Sequence, residues 1–171
     1  PLFDEWFASH GWQPHPHQID MVARAKEPSL LLIAPTGGGK TLAGFLPTLT
    51  ELADGTHSGL HTLYVSPLKA LTADIKRNLS TPIVDMALPI RVEDRTGDTS
   101  ATQKKRQRAD PPHILLTTPE SLALLLSYED SPRMFAGLSR VVVDEIHALG
   151  ESKRGDQLML CLAELQAMAP T

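Results

Sequence analysis

The sequence predicts an α/β domain: a doubly wound, mostly parallel sheet with helices on both faces. Three observations carry that expectation. Short apolar runs alternate with stretches of helical periodicity, which requires crossover connections and therefore parallel strands. The apolar runs are continuous rather than alternating, as strands covered on both faces must be. The polar and glycine-rich motifs fall just past the ends of those runs, where open parallel sheets bind their ligands.

Five runs rich in β-branched residues and leucine are candidate strands: Ser29–Ala34, His61–Ser66, Ile90–Glu93, His113–Thr117 and Arg140–Asp144. Between them, Leu68, Leu71, Ile75 and Leu79 recur along one face of a helix. Leu158, Leu162, Leu165 and Met168 mark a last helix in the same way. Thr81-Pro82 has the form of an N-cap followed by proline at the first helical position. Lys104-Lys105-Arg106-Gln107-Arg108 is the one strongly basic run. On a helix beginning near Ser100 its charges spread around the surface, which reads as a solvated face rather than a duplex contact.

Composition bounds the answer. The chain has 171 residues, 42% apolar and 21% charged, an ordinary globular mix without repeats or low-complexity linkers. A domain of this size buries roughly two-thirds of the surface its unfolded chain exposes. No apolar run approaches the ~18 residues of a membrane span, and no signal segment opens the chain. A single cysteine, Cys161, excludes an internal disulfide and a multi-thiolate zinc site. These features together give the expectation of a cytoplasmic protein. The net charge of −4 argues against indiscriminate binding to polyanions. A defined track of backbone amides and hydroxyls is still open to it.

Ala34-Pro35-Thr36-Gly37-Gly38-Gly39-Lys40-Thr41 follows an apolar run and precedes the helical Leu42-Ala43-Gly44-Phe45-Leu46. Three glycines let the backbone turn tightly and aim N–H groups inward as an anion nest at a helix start. Lys40 would reach the β- and γ-phosphates of a nucleotide, and Thr41 would complete the coordination of Mg²⁺. Asp144 ends the run Arg140–Val143, where a carboxylate is costly unless it is paired or binds metal. Holding Mg²⁺ through water relieves that cost. Glu145 beside it suits phosphoryl transfer to water, which needs a group to orient or deprotonate the attacking molecule. The two motifs together imply hydrolysis of a nucleoside triphosphate, with ATP and Mg²⁺ as the expected ligands. A small-metabolite kinase fits less well, because Glu145 directly follows the metal carboxylate and no acceptor lid is evident.

Near the amino end lies Phe-Ala-Ser-His-Gly-Trp-Gln-Pro-His-Pro-His-Gln, residues Phe7 to Gln18. A glutamine amide can match an adenine edge bidentately. Spacing alone, however, makes Gln18 a surface helix residue. His15 and His17 have no carboxylate or thiol at ligand spacing and read as a proline-rich loop.

These residues resemble a known family. Ala34–Thr41 together with Asp144-Glu145-Ile146-His147 is similar to the first RecA-like lobe of superfamily 2 DExH-box helicases. Ser66-Pro67-Leu68-Lys69-Ala70-Leu71, Arg95-Thr96-Gly97-Asp98-Thr99 and Thr117-Thr118-Pro119-Glu120-Ser121-Leu122 resemble that superfamily's strand-contacting motifs. Their wording resembles the large helicase-related (Lhr) DNA helicases, including the ligase-associated bacterial members. The likeness runs from about Trp6 to Asp156.

The resemblance implies an RecA-like P-loop domain whose residues 1–28 form helices carrying an adenine-reading segment and whose residues 29–171 form the core. It makes Gln18, with Trp6-Phe7, Gly11 and Trp12 around it, a base contact. It assigns Thr36, Gly37, Gly38, Gly39, Lys40 and Thr41 to the nucleotide, and Lys40, Asp144 and Glu145 to catalysis. Ser66, Pro67, Lys69, Thr96, Gly97, Asp98, Thr118, Pro119, Glu120 and Ser121 would line a track for single-stranded or partly duplex DNA, with RNA as the alternative polymer. His147 would couple the two sites. Turn chemistry is the competing account of Pro67, Gly97 and Pro119, and the helix dipole that of Glu120. For His147 it is a polar plug beneath Asp144.

The family's machine has two such lobes. The Ser-Ala-Thr motif and second-lobe motifs do not occur in this sequence. The expectation is therefore a first lobe that binds ATP, hydrolyses it poorly alone, and serves DNA repair near the nucleoid. A nucleotide-dependent binding module without unwinding is the non-enzymatic alternative.

Overall fold

The computed structural model describes residues 3–26, 40–145 and 153–168, with the backbone alone at Lys40 and Thr41. Among the described residues, four parallel strands form one sheet in the order β2-β3-β1-β4. They are β1 (Thr62–Val65), β2 (Val92–Arg95), β3 (Ile114–Thr117) and β4 (Arg140–Val143). The helices are α1 (Asp4–Ser9), α2 (Pro16–Ala23), α3 (Lys40–Leu52), α4 (Lys69–Asp85), α5 (Ala101–Ala109), α6 (Pro119–Leu126), α7 (Ser131–Phe135) and α8 (Lys153–Met168). The expected fold class is the observed one. The candidate strand Ser29–Ala34 lies outside the described residues.

Because side chains alternate across a strand, each central strand feeds two cores. Tyr64 of β1 and Ile114 and Leu116 of β3 join Phe45, Leu49, Ile75 and Leu79 under α3 and α4, with Trp6 and Phe7 of α1 closing that layer. Leu63, Val65 and Leu115 face the other way, onto Leu122, Leu125, Phe135, Leu158, Cys161 and Leu165. Six of these strand residues are no more than 1% exposed, so the sheet is sandwiched as continuous apolar runs predict.

Four sequence expectations need correction. The edge strand is Val92–Arg95 rather than Ile90–Glu93, because Val92 pairs with Ile114 and the buried Arg95 pairs with Thr117. A run ending in Arg95 is invisible to an apolar search. Thr81-Pro82 does not start a helix: α4 runs through both to Asp85. The hydroxyls of Ser80 and Thr81 bond back to the carbonyls of Lys76 and Arg77, and buried Pro82 packs inward. Leu68, expected on the buried stripe, is instead the half-exposed residue before α4, while Ile75 and Leu79 are buried. Around His15 and His17 the expected loop is helix α2, with Pro16 at its first turn and the two imidazoles stacked at 5.2 Å.

At the amino ends of the strands a buried polar relay ties α3 to the sheet. Arg140 donates to Thr48 Oγ1 (3.2 Å) and forms a two-pronged pair with Glu51. Thr48 and Thr62 hydroxyls are 2.9 Å apart, Thr62 Oγ1 lies 2.8 Å from His61 Nδ1, and His61 Nε2 lies 2.9 Å from Glu51. Since the Glu51 carboxylate can only accept from Nε2, neutral His61 accepts at Nδ1, and the hydroxyl protons run from Thr48 to Thr62 to His61 Nδ1. His61 Nε2–H then donates to Glu51. Burial pushes the His61 imidazole below its ordinary value despite the neighbouring carboxylate.

Candidate nucleotide and nucleic-acid site

The strand register builds the site. Val65 pairs with Thr117 and with Val143, and Arg95 pairs with Thr117. The four strands therefore end level, and the next residues, Ser66, Thr96, Thr118 and Asp144, form one row along the carboxyl edge. The pairing continues one step past the strands, with Ser66 N–H to Thr117 O and Asp144 N–H to Val65 O, both at 3.0 Å. Asp144 and Glu145 share this edge with every predicted strand-contacting loop.

Asp144 is held at both oxygens. Tyr64 donates its hydroxyl to Oδ2 at 2.7 Å, and the Glu145 N–H donates to Oδ1 at 2.8 Å. Burial, and then the bond to Asp144, push the Tyr64 phenol well above its ordinary value, so it remains a donor at any working pH. Glu145 has φ of +54°, the left-handed region that side chains other than glycine rarely adopt. Such strain concentrates where chemistry needs an unusual direction. Tyr64 was not singled out from sequence. Its one signal was a hydroxyl near the end of an otherwise apolar run.

The phosphate cradle, Thr36 to Gly39, and His147 lie outside the described residues, and of Lys40 and Thr41 only the helical backbone is described, at the start of α3. Leu42 to Leu46 continue that helix with Ala43, Phe45 and Leu46 buried, as expected. Gln18 is a helix residue, but at 3% exposure it is not a surface one. Its Oε1 accepts the His15 N–H at 2.8 Å, capping α2. Trp6 is buried and donates to Asp85 at 3.0 Å, while Trp12 is half-exposed, stacked on His10.

The track residues have defined partners. Ser66 is buried and its Oγ accepts the Leu68 N–H at 3.3 Å; Pro67 is buried beside it. The loop after β2 is a tight turn in which Thr96 N–H bonds Thr99 Oγ1 and Asp98 N–H bonds Thr96 Oγ1. Gly97 at its tip is exposed, and a Cβ there would meet nothing within 4 Å. Turn chemistry therefore gives no internal reason for this glycine. Lys69 and Asp98 form an ion pair at 2.5 Å that joins the loops after β1 and β2. Thr118 caps α6 by accepting the Ser121 N–H at 3.4 Å, with Pro119 in the first turn. Thr117 Oγ1 donates to Arg95 O at 2.7 Å, lacing the ends of β2 and β3. Beneath that joint Arg95 is 1% exposed and donates to Lys104 O, with Gln107 Oε1 at 3.4 Å.

The basic run, expected as a solvated face, lies on α5, with ion pairs at two of its four cations. Arg106 pairs with Glu93, and Arg108 pairs with Asp130 while lying 3.9 Å over the Tyr128 ring. Gln107, in the middle of that run, is buried.

A parallel α/β sheet whose level carboxyl edge gathers an Asp-Glu pair and polar loops has the fold of a RecA-like helicase domain. The family model for DEAD/DEAH box helicases matches residues 15–171, and the chain belongs to that family. It is 41% identical to an ATP-dependent helicase Lhr-Core protein of Thermococcus barophilus, over 96% of this chain and 21% of that protein. It is also 41% identical to the Lhr helicase/probable uracil glycosylase of Mycolicibacterium smegmatis, over 99% of this chain and 12% of that one. The chain thus spans about a fifth or less of these relatives. Among solved structures, the Mycobacterium smegmatis helicase Lhr bound to ssDNA and AMP-PNP superposes with a TM-score of 0.91 at 41% identity, covering 99% of this chain and 23% of that one. The DUF1998 helicase MrfA bound to DNA and AMPPNP gives 0.82 at 26% identity, over 96% and 24%.

Proposed function

We propose that this chain is the first motor lobe of an ATP-dependent helicase or translocase that acts on single-stranded DNA. The observation that carries the reading is the in-register row of Ser66, Thr96, Thr118 and Asp144, which sets the strand-facing loops beside the hydrolytic pair on one edge. The likeness to a helicase bound to ssDNA and AMP-PNP supports both ligands. Residues 1–28 would carry the adenine-reading segment, residues 29–171 the core, and a second lobe would complete the machine in a cytoplasmic, nucleoid-associated protein serving DNA repair.

In this reading Gln18 holds the adenine edge, and the N–H groups of Thr36 to Gly39 with the Lys40 ammonium hold the phosphates. Glu145 orients the water that attacks the γ-phosphorus and accepts its proton. Asp144 is a hard oxygen donor whose two oxygens are already aimed by Tyr64 and the Glu145 N–H, the donor type that Mg²⁺ takes. Asp144, through water, and Thr41 would hold the ion. When bound, it would neutralise phosphate charge. The second lobe would supply an arginine worth about 10³–10⁵ in rate in related hydrolases. This lobe alone would bind ATP and turn it over slowly. The DNA backbone would lie along Ser66–Lys69, Thr96–Asp98 and Thr118–Ser121, where amides and hydroxyls meet phosphates without a net basic surface. His147 would relay the state of the nucleotide to that track.

The test is the ATPase rate of the full-length protein with no polymer, with single-stranded DNA and with RNA. Stimulation by single-stranded DNA is expected; equal rates in all three would refute a translocase. For the cradle, Lys40→Ala should abolish nucleotide binding, and unchanged affinity would refute the assignment.

A further inference from the structure

Arg154, in the first turn of α8, joins two of the strand-facing loops. Its guanidinium donates to the Pro67 carbonyl at 2.5 Å and makes a fork onto Glu120, with Nη2 to Oε2 at 3.2 Å and Nε to Oε1. Pro67 is the residue after the end of the β1 loop's buried Ser66, and Glu120 sits in the first turn of α6, one residue past Pro119. One planar cation thus sets the spacing between the Ser66–Lys69 and Thr118–Ser121 segments. The position is locally unfavourable for it. Lys153 and Arg154 both stand at a helix amino end, where the macrodipole disfavours positive charge. Such a conflict between local and tertiary demands is expected at functional positions.

Stability does not account for the arrangement. Arg154 is 41% exposed and Glu120 50%, and ion pairs so open to water contribute little to folding. What a guanidinium provides that a lysine cannot is a rigid fork satisfying a carboxylate and a carbonyl together. Burial works to raise the Glu120 carboxyl, yet the bonds from Arg154 hold it below its ordinary value, so the carboxylate stays ionised.

We propose that Arg154 is a positioning residue for the nucleic-acid track: it holds the loop after β1 and the start of α6 at the separation that two neighbouring phosphates of one strand require. The inference rests on the single-stranded DNA reading above. Arg154 itself is spent on Pro67 and Glu120 and does not touch the strand. The contacts beside its two acceptors, from Ser66, Thr118 and Ser121, are uncharged, and the one cation of these segments, Lys69, is held separately by its pair with Asp98.

That distinction supplies the test. Binding of a fluorescent oligothymidine to the full-length protein is measured across a salt series, with thermal melting of each variant. Arg154→Gln should weaken binding about tenfold, the scale of a lost charge-assisted contact. It should leave the slope of log affinity against log salt unchanged, because no phosphate-neutralising cation is removed. A slope smaller by about 0.7 would show a direct phosphate contact and overturn the proposal. Glu120→Gln separates the same cases by sign, and serves also if Arg154→Gln does not fold. Positioning predicts weaker binding when the fork is lost, about threefold, whereas a phosphate-binding arginine released from its carboxylate would bind DNA more tightly. Arg154→Lys should stay weakened, since a point charge cannot span both acceptors; full rescue would overturn the proposal. Unchanged affinity in Arg154→Gln, or a loss that merely follows a lowered melting temperature, would do the same. Absence of binding by the wild type would instead overturn the DNA reading on which the proposal rests.

Discussion

The Tyr64 hydroxyl donates a 2.7 Å hydrogen bond to Asp144 Oδ2, joining the centre of the sheet to its carboxyl edge across adjacent strands β1 and β4. Tyr64 is 1% exposed and its ring packs 5.5 Å from that of Phe45 in α3. The carboxylate direction is thus set by a side chain that cannot move without disturbing the core.

Tyr64→Phe keeps the ring and removes only the donor. Hydrogen bonds to charged groups contribute about 1.5–3 kcal/mol when buried, and Asp144 is only half-buried, so the lower end applies. ATP turnover of the full-length protein should fall about threefold to tenfold, with the melting temperature nearly unchanged. Turnover equal to wild type would mean that the tyrosine does not set the carboxylate.

Glu145→Gln separates binding from chemistry. An amide preserves size but cannot take a proton, and loss of a general base typically costs about 10²–10⁴ in rate. Nucleotide affinity, read by titration with a fluorescent ATP analogue, should stay within about threefold. A parallel collapse of affinity would show that Glu145 supports the nucleotide instead.

Lys69 and Asp98 should respond in opposite directions. Lys69→Ala should weaken single-stranded DNA binding and lower the salt slope by about 0.7, the signature of one phosphate neutralised. Asp98→Asn frees Lys69 from its 2.5 Å partner and should tighten binding about twofold to threefold. Weakening by both would assign the pair to loop structure alone.

Gly97→Ala tests the tip of the loop after β2. A methyl group there meets open space, so stability should be unchanged within about 0.5 kcal/mol. DNA affinity should nevertheless fall several-fold if the strand approaches the backbone at that point. Equal affinity would place the strand elsewhere.

The relay at the opposite edge predicts the pH dependence of stability. His61 has its folded pKa pushed below the ordinary value of about 6.5 by burial, so the unfolded chain takes up the proton first. Its contribution is fully present above that value and is lost as pH falls through about 6.5 toward the lower folded pKa. Urea midpoints measured from pH 8 to 5.5 should drop over that window, and His61→Gln should flatten the drop. Thr62→Val should lower stability at every pH by about 1–3 kcal/mol, because the Thr48 hydroxyl and His61 Nδ1 both lose a buried partner.

What sequence could determine was whatever is written in adjacent residues. The two-sided strands, the stripe on α8, the helix start near Ser100 and the order of motifs along the carboxyl edge are all local patterns. Apolar periodicity and turn chemistry suffice to specify them. Three-dimensional packing decided the rest. Pro82 continues a helix because its ring is buried against the core and its neighbours' hydroxyls bond back along the chain. Arg95 ends a strand because Lys104 and Gln107 on α5 receive it. Gln18 is buried although its spacing suggests the surface. Tyr64 reaches Asp144, and Arg154 reaches Pro67 and Glu120, across separations of 80, 87 and 34 residues. No local pattern encodes such pairs: their energy arises only after the sheet has set four strand ends level, and it is that register which turns scattered motifs into one site.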